Sequence, residues 1–259
     1  MDTSSVAFIG GGRITRIILE GWKKKNHSPS RISVSDADTD ILRGLQRKFP
    51  EIEILPGGNL AAVLRDMIFL AVHPPAMAGV LAEIKDVLRP TSIVISLAPK
   101  WTIKNLSMGL GGFNRIVRMI PTVASIVNDG FNPISFSGAF TDEEKVEMTQ
   151  FLLALGDCPE VEEQKLEAYA ILTAMGPTYF WPQLNELQNL GELFGLTARE
   201  AETGLARMVE GTVKTLYASG MAYPDVMNLI PVKPLAEEEN TIREMYRTRL
   251  QELYQKIKP

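Results

Sequence analysis

Cysteine is almost missing from this chain. Cys158 stands alone among 259 residues, which excludes an intramolecular disulfide framework and fits a reducing compartment. With Pro159 behind it, that thiol reads as a packed core residue rather than a nucleophile. Histidine is scarce as well: His27 and His73 are the only two, so a histidine-rich metal site is excluded. Basic runs are lacking, and at a net charge of −4 the chain suits no nucleic acid. No uninterrupted apolar stretch approaches membrane-spanning length. The opening residues carry neither the basic region nor the apolar leader of a targeting segment. These absences lead us to expect a soluble, cytoplasmic protein with no membrane and no nucleic-acid partner.

What the chain does have is apolar material, 45% of its residues, enough for one large core or two smaller ones. The most informative stretch is Val6-Ala7-Phe8-Ile9-Gly10-Gly11-Gly12-Arg13-Ile14-Thr15. A short apolar run enters a glycine cluster, and the pattern then turns helical. That is the layout of a dinucleotide-binding βαβ start. Gly10 makes the tight turn and Gly12 lets backbone approach a pyrophosphate, with the phosphates on the helix opening at Arg13 and Ile14. A second strand-like run, Arg31-Ile32-Ser33-Val34-Ser35, ends at Asp36, whose carboxylate can accept hydrogen bonds from an adenosine ribose. Two features depart from the pattern: Thr15 takes the third glycine position, and Arg13 either meets a phosphate or points to solvent. A plain strand–turn–helix without ligand, and an Asp36-Ala37-Asp38 loop that only caps the next helix, are the bland alternatives.

Further along, strand-like and helix-like segments alternate. Helices are expected over Thr39–Phe49, Asn59–Leu64 and Thr141–Leu155, the last with Asp142, Glu143 and Glu144 in its first turn and Gly156 at its end. Strands are expected over Glu51–Ile54, Met67–Val72, Ser92–Leu97 and Asn114–Met119. Continuous apolar runs suit strands covered on both faces, so residues 1–162 read as a doubly wound parallel α/β domain. Residues 163–259 read as all helical: Gln164–Phe194 interrupted at Gly176-Pro177 and again at Trp181-Pro182, a helix capped by Thr197 with Glu200, and a last helix carrying Ile242, Met245, Tyr246 and Leu250. Several apolar faces in so short a helical segment imply burial against another subunit, or against the first domain.

Four motifs in order, Phe8-Ile9-Gly10-Gly11-Gly12, Ala71-Val72-His73-Pro74, Arg118-Met119-Ile120-Pro121 and Thr173-Ala174-Met175-Gly176-Pro177-Thr178-Tyr179, resemble the pyrroline-5-carboxylate reductases over nearly the whole chain. The resemblance implies an N-terminal Rossmann-type sheet and an all-helical C-terminal dimerisation domain. It also implies that Ala71, Val72, His73 and Pro74 lie near the nicotinamide ribose. The kink at Gly176 would face the nicotinamide across a dimer interface, with Thr173, Met175, Gly176, Thr178 and Tyr179 nearest the substrate. His73, Thr178 and Tyr179 are the candidate catalytic groups. This chain departs from the family where Asn228-Leu229-Ile230-Pro231-Val232-Lys233-Pro234-Leu235 replaces a Ser-Pro-Gly-Gly-Thr-Thr-type segment that holds the substrate carboxylate. Apolar groups and prolines then stand where amides and hydroxyls would bind an anion. Lys233 is the one cation of that loop, either a substitute anion site or plain surface.

No nucleophile–base arrangement is visible, which suits hydride transfer, where the cofactor carries the chemistry. Asp36, with Asp38 near it, would repel a 2′-phosphate and favours NAD over NADP. His73 is either a donor or proton relay, or a turn residue held by a backbone carbonyl. Three functions compete: an NAD(P)-dependent reductase of a C=N bond, a divergent reductase or dehydrogenase acting on another imine or carbonyl, and a dinucleotide-binding dimer without catalysis.

Overall fold

The computed structural model describes residues 5–259. Contacts divide the chain into two units, one reaching Met175 and regaining Leu253–Pro259, the other Gly176–Glu252. The boundary expected near residue 162 lies inside the first unit. There Leu166 and Ala170 bury with Ile120, and Glu167 pairs with Arg118 of the sheet.

Nine strands and eleven α-helices order the described residues. The strands are β1 Ser5–Ile9, β2 Arg31–Asp36, β3 Glu53–Pro56, β4 Met67–Leu70, β5 Ile93–Ser96, β6 Ile116–Met119, β7 Gly130–Phe131, β8 Ile134–Phe136 and β9 Gly156–Asp157. The helices of the first unit are α1 Arg13–Lys24, α2 Thr39–Lys48, α3 Asn59–Ala62, α4 Pro74–Ile84, α5 Ile103–Gly109, α6 Asp142–Leu152 and α7 Leu166–Tyr169. Seven strands form one sheet in the order β3-β2-β1-β4-β5-β6-β8. Its pairs are parallel except β6 with β8. The order reverses between β1 and β4, which makes the carboxyl ends of these two strands the place where ligands of such sheets collect.

Successive residues of β1 bury on opposite faces. Val6 and Phe8 join Trp22, Phe69 and Val117 in one core, while Ala7 and Ile9 join Leu70, Met77, Leu81 and Leu106 in the other. Coverage of both faces is why these strands read as unbroken apolar runs. Phe8 stacks on Phe69 with centroids 4.8 Å apart, and Trp22 meets Phe69 edge-on at 6.0 Å.

Some expected elements are displaced. The third strand lies at Glu53–Pro56 rather than Glu51–Ile54, because Ile52 is buried in the turn that bonds back to the Phe49 carbonyl. The helix expected over Asn59–Leu64 is the single turn α3. β7, β8 and β9 are two or three residues long, too short for an alternation to register.

Beyond α7 the backbone makes a π-helical turn over Ala170–Ala174. The helical unit then holds α8 Pro177–Leu193, α9 Ala198–Ala218 and α10 Tyr223–Asn228, and most of α11 Glu239–Ile257. Pro177 opens α8 as its first residue, the position where a missing N–H costs nothing. The second interruption expected at Trp181-Pro182 does not occur, since α8 runs through Pro182. Gln183 Nε2 donates to the Tyr179 carbonyl at 2.8 Å, supplying a partner beside the rung that proline removes. α9 is capped by Thr197 and Glu200 as expected.

Candidate functional site

The glycine turn after β1 is built by three constraints. Gly10 has φ +105, and a Cβ there would lie 2.6 Å from the Ala71 carbonyl oxygen, so only glycine fits. Gly11 packs on α2, where a Cβ would meet Ile41 and Leu45 side chains at 3.1 and 3.2 Å. Gly12 is the contrast: a Cβ there would meet nothing within 4 Å, and its glycine leaves the outer surface of the turn open to close approach.

Thr15 explains its own departure from the glycine pattern. Fully buried, its hydroxyl donates to the Gly10 carbonyl at 2.6 Å and so pins the turn from inside. α1 begins at Gly12 without a side-chain cap and without an acid in its first turn. Its opening N–H groups and the positive end of its dipole are thus offered to an anion. Arg13 and Ile14 are the residues that present them. A dinucleotide pyrophosphate fits this cradle.

Asp36 ends β2 and reaches across to that turn. Its Oδ2 accepts from the Gly11 N–H at 2.7 Å and its Oδ1 from the Asp38 N–H at 2.9 Å. Capping of α2 falls to Asp38, whose Oδ1 accepts from Asp40 and Ile41. The two acids have separate duties, and each Asp36 oxygen retains a lone pair for a hydroxyl.

Beside the glycine turn, β4 leads into Ala71, Val72 and His73. His73 is the residue before α4; its side chain is exposed and makes no cap. Pro74 and Pro75 lie in the first turn of α4. The structure therefore gathers Gly10, Gly12, Arg13, Ile14, Asp36, Ala71, Val72, His73 and Pro74 along the carboxyl ends of β1, β2 and β4.

Thr173 and Met175 close the first unit, and the Thr173 hydroxyl donates to the Tyr169 carbonyl at 2.7 Å. Gly176, Thr178, Tyr179 and Lys233 belong to the helical unit. Tyr179 meets Tyr246 edge-on at 5.8 Å. Burial, with Tyr246 adding to it, pushes the Tyr179 hydroxyl above its ordinary pKa, so it holds its proton at neutral pH. Lys233 is exposed between exposed Ile230, Val232 and Leu235. Cys158 is buried in the core, and desolvation pushes its thiol up to about 12, which makes it inert.

Sequence reading missed a buried ion cluster next to this edge. Arg118, 1% exposed, donates to Glu167 Oε1 at 2.5 Å and to Glu163 Oε1 at 3.1 Å. Those carboxylates also accept the Lys100 N–H at 3.0 Å and the Ile103 N–H at 2.6 Å. The signal in the sequence is an arginine inside the apolar run Ile116-Val117-Arg118-Met119, and two acids four positions apart. Among the described residues no group of three or more metal-ligating side chains occurs, and no helix is long and apolar enough to cross a membrane.

Residues 5–100 match the family model described as NADP oxidoreductase, coenzyme F420-dependent. Over 233 residues the chain is 25% identical to a pyrroline-5-carboxylate reductase of Methanosarcina acetivorans, covering 89% of this chain and 85% of the relative. The corresponding Escherichia coli protein is 26% identical over 83% of this chain and 80% of its own length. Among solved structures, a pyrroline-5-carboxylate reductase from Coxiella burnetii superposes with a TM-score of 0.71 at 28% identity, over 99% of this chain and 95% of that one. The Plasmodium falciparum pyrroline carboxylate reductase with NADP bound gives 0.83 at 18% identity, covering 100% and 98%.

Proposed function

We propose that this chain, a divergent member of the pyrroline-5-carboxylate reductase family, is an NAD(P)-dependent oxidoreductase that reduces the C=N bond of a cyclic imine, the step that closes proline biosynthesis. The observation that carries this reading is the anion cradle. Gly10 is forced against Ala71, Gly12 is left open, and α1 begins uncapped at the switch point of a parallel sheet.

The dinucleotide, when bound, supplies the reducing hydride. Gly10, Gly12 and Ile14 offer backbone to its pyrophosphate, and the Arg13 guanidinium adds a charge-assisted contact. Asp36 accepts from the adenosine ribose. Its negative charge disfavours a 2′-phosphate, so the preferred cofactor is NAD. Ala71, Val72 and Pro74 border the nicotinamide end, where His73 stands as donor or proton relay. Thr178 and Tyr179 are the hydroxyls proposed to serve the reacting nitrogen, with Thr173, Met175 and Gly176 around the substrate. That assignment rests on the resemblance of residues 173–179 to the family motif. Lys233 is a candidate cation for the substrate carboxylate.

The protein acts as a homodimer through its helical unit. Support comes from the large apolar side chains that unit leaves exposed, among them Leu193, Phe194 and Val213, which a partner subunit would cover. The chemistry belongs in the cytoplasm, with a small-molecule substrate.

Oxidation of NADH and of NADPH by the purified protein, with and without pyrroline-5-carboxylate, tests this reading. We expect imine-dependent oxidation with the higher kcat/KM on NADH, and an Asp36→Ser variant that narrows the gap by about tenfold, the worth of one charge contact. Tight cofactor binding without turnover of any cyclic imine would favour the non-catalytic dimer. Turnover of a different imine or carbonyl alone would favour the divergent reductase, which the apolar segment 228–235 makes the second reading.

A further inference from the structure

The loop after β5 holds a residue that the dinucleotide cradle does not use. Leu97 donates its N–H to the Leu70 carbonyl at 3.1 Å, so this loop leaves the sheet alongside Ala71 and His73. Within it Lys100 has φ +73, a left-handed conformation that glycine takes freely and a lysine resists. The surroundings impose it. Glu167 takes the Lys100 N–H and Glu163 takes that of Ile103, while Arg118 beneath holds both carboxylates. Arg118 and Glu167 are each only 1% exposed, so the clamp is set in the core and not in solvent. The network thus holds the main chain of this loop in a strained conformation, and with it the Cα from which the Lys100 side chain leaves.

We propose that Lys100 binds the anionic group of the substrate, its carboxylate, and that Arg118, Glu163 and Glu167 are the positioning residues that preset it. The Lys100 side chain is exposed and enters no ion pair among the described residues. An ammonium on a flexible stem is suited to a point contact with one carboxylate. Two other cations near this edge have different engagements: Arg118 is buried and doubly paired, and Arg13 opens α1 beside the phosphate cradle. The identity of the anion as an imine carboxylate rests on the reaction proposed above.

Initial rates on two cyclic imines test the assignment, pyrroline-5-carboxylate and the unsubstituted 1-pyrroline. Lys100→Ala raises KM for the carboxylated imine about tenfold or more, the loss of one charged hydrogen bond, with kcat nearly kept and KM for 1-pyrroline unchanged. Lys100→Arg restores most of the affinity. Lys100→Gly, which suits the backbone, reproduces the Lys100→Ala kinetics in a protein that melts higher, so misfolding is separated from lost charge. An equal rise for both imines, no rise, a rise confined to NADPH, or the same pattern from Lys233→Ala with none from Lys100→Ala overturns the assignment while leaving the reaction standing. Turnover of neither imine by the unmodified protein overturns the reaction and the assignment together.

Discussion

The two units treat their apolar residues in opposite ways. In the first, Phe8, Trp22, Phe69 and Val117 are fully enclosed between sheet and helices. In the second, α8 and α10 contain no buried residue and α9 buries only Ala201. Leu193, Phe194 and Tyr217 are 78%, 77% and 80% exposed. α8 and α9 do approach closely, since a Cβ on Gly191 would lie 3.1 Å from that of Ala201, but one such contact is no core. The first unit encloses its large apolar side chains within its own chain, whereas the second leaves many of them at its surface. Burial is a matter of what a helix finds to lie against, and hydrophobic content alone does not provide it.

The sharpest way to break this contrast is to open the first unit. Arg118→Ala leaves Glu163 and Glu167 without their cation inside the protein, and we expect a loss of about 3–5 kcal/mol in urea unfolding. Arg118→Met, which fills the space, should lose less only if it is paired with Glu167→Gln. Next comes the second unit, where sedimentation of the unmodified chain should give a dimer at micromolar concentration. Replacing both Leu193 and Val213 by glutamate should shift it to a monomer without abolishing the circular dichroism of the sheet, since a charge desolvated at an interface is costly. A monomeric wild type would remove the contrast. The smallest effect is Thr15→Val, which keeps the shape but leaves the Gly10 carbonyl without its donor. It should cost roughly 0.5–1.5 kcal/mol and weaken cofactor binding more than it lowers stability.

Much of the first unit was legible in the chain because parallel strands covered on both faces need apolar runs, and glycines at a phosphate turn need their spacing. Gly10, Gly12 and Asp36 fall where their pattern placed them. The reading of Asp36 lacked one fact, that its carboxylate holds the Gly11 N–H, a bond across 25 positions that no local pattern encodes. The Arg118–Glu167 pair, 49 positions apart, was hidden for the same reason. Pro74 and Pro75 open α4, since the first turn of a helix is where a residue without an N–H fits without loss. Trp181-Pro182 misled in the opposite sense: near a helix start one missing rung does not end the helix. Lys100 gave no sign at all, because a left-handed lysine is a product of what grips it.

The return of Leu253–Pro259 to the first unit bears on how the protein is made. Ile257 packs against Ile120, Leu166 and Ala170, so the α/β half is discontinuous along the chain. A ribosome that has finished everything through Glu252 has released the entire sheet but not the side chain that covers this small cluster. Until residues 253–259 emerge, the nascent chain carries an uncapped patch at Ile120, just past β6 and the arginine clamp. The order of synthesis thereby places the helical half in solution before the first half is sealed.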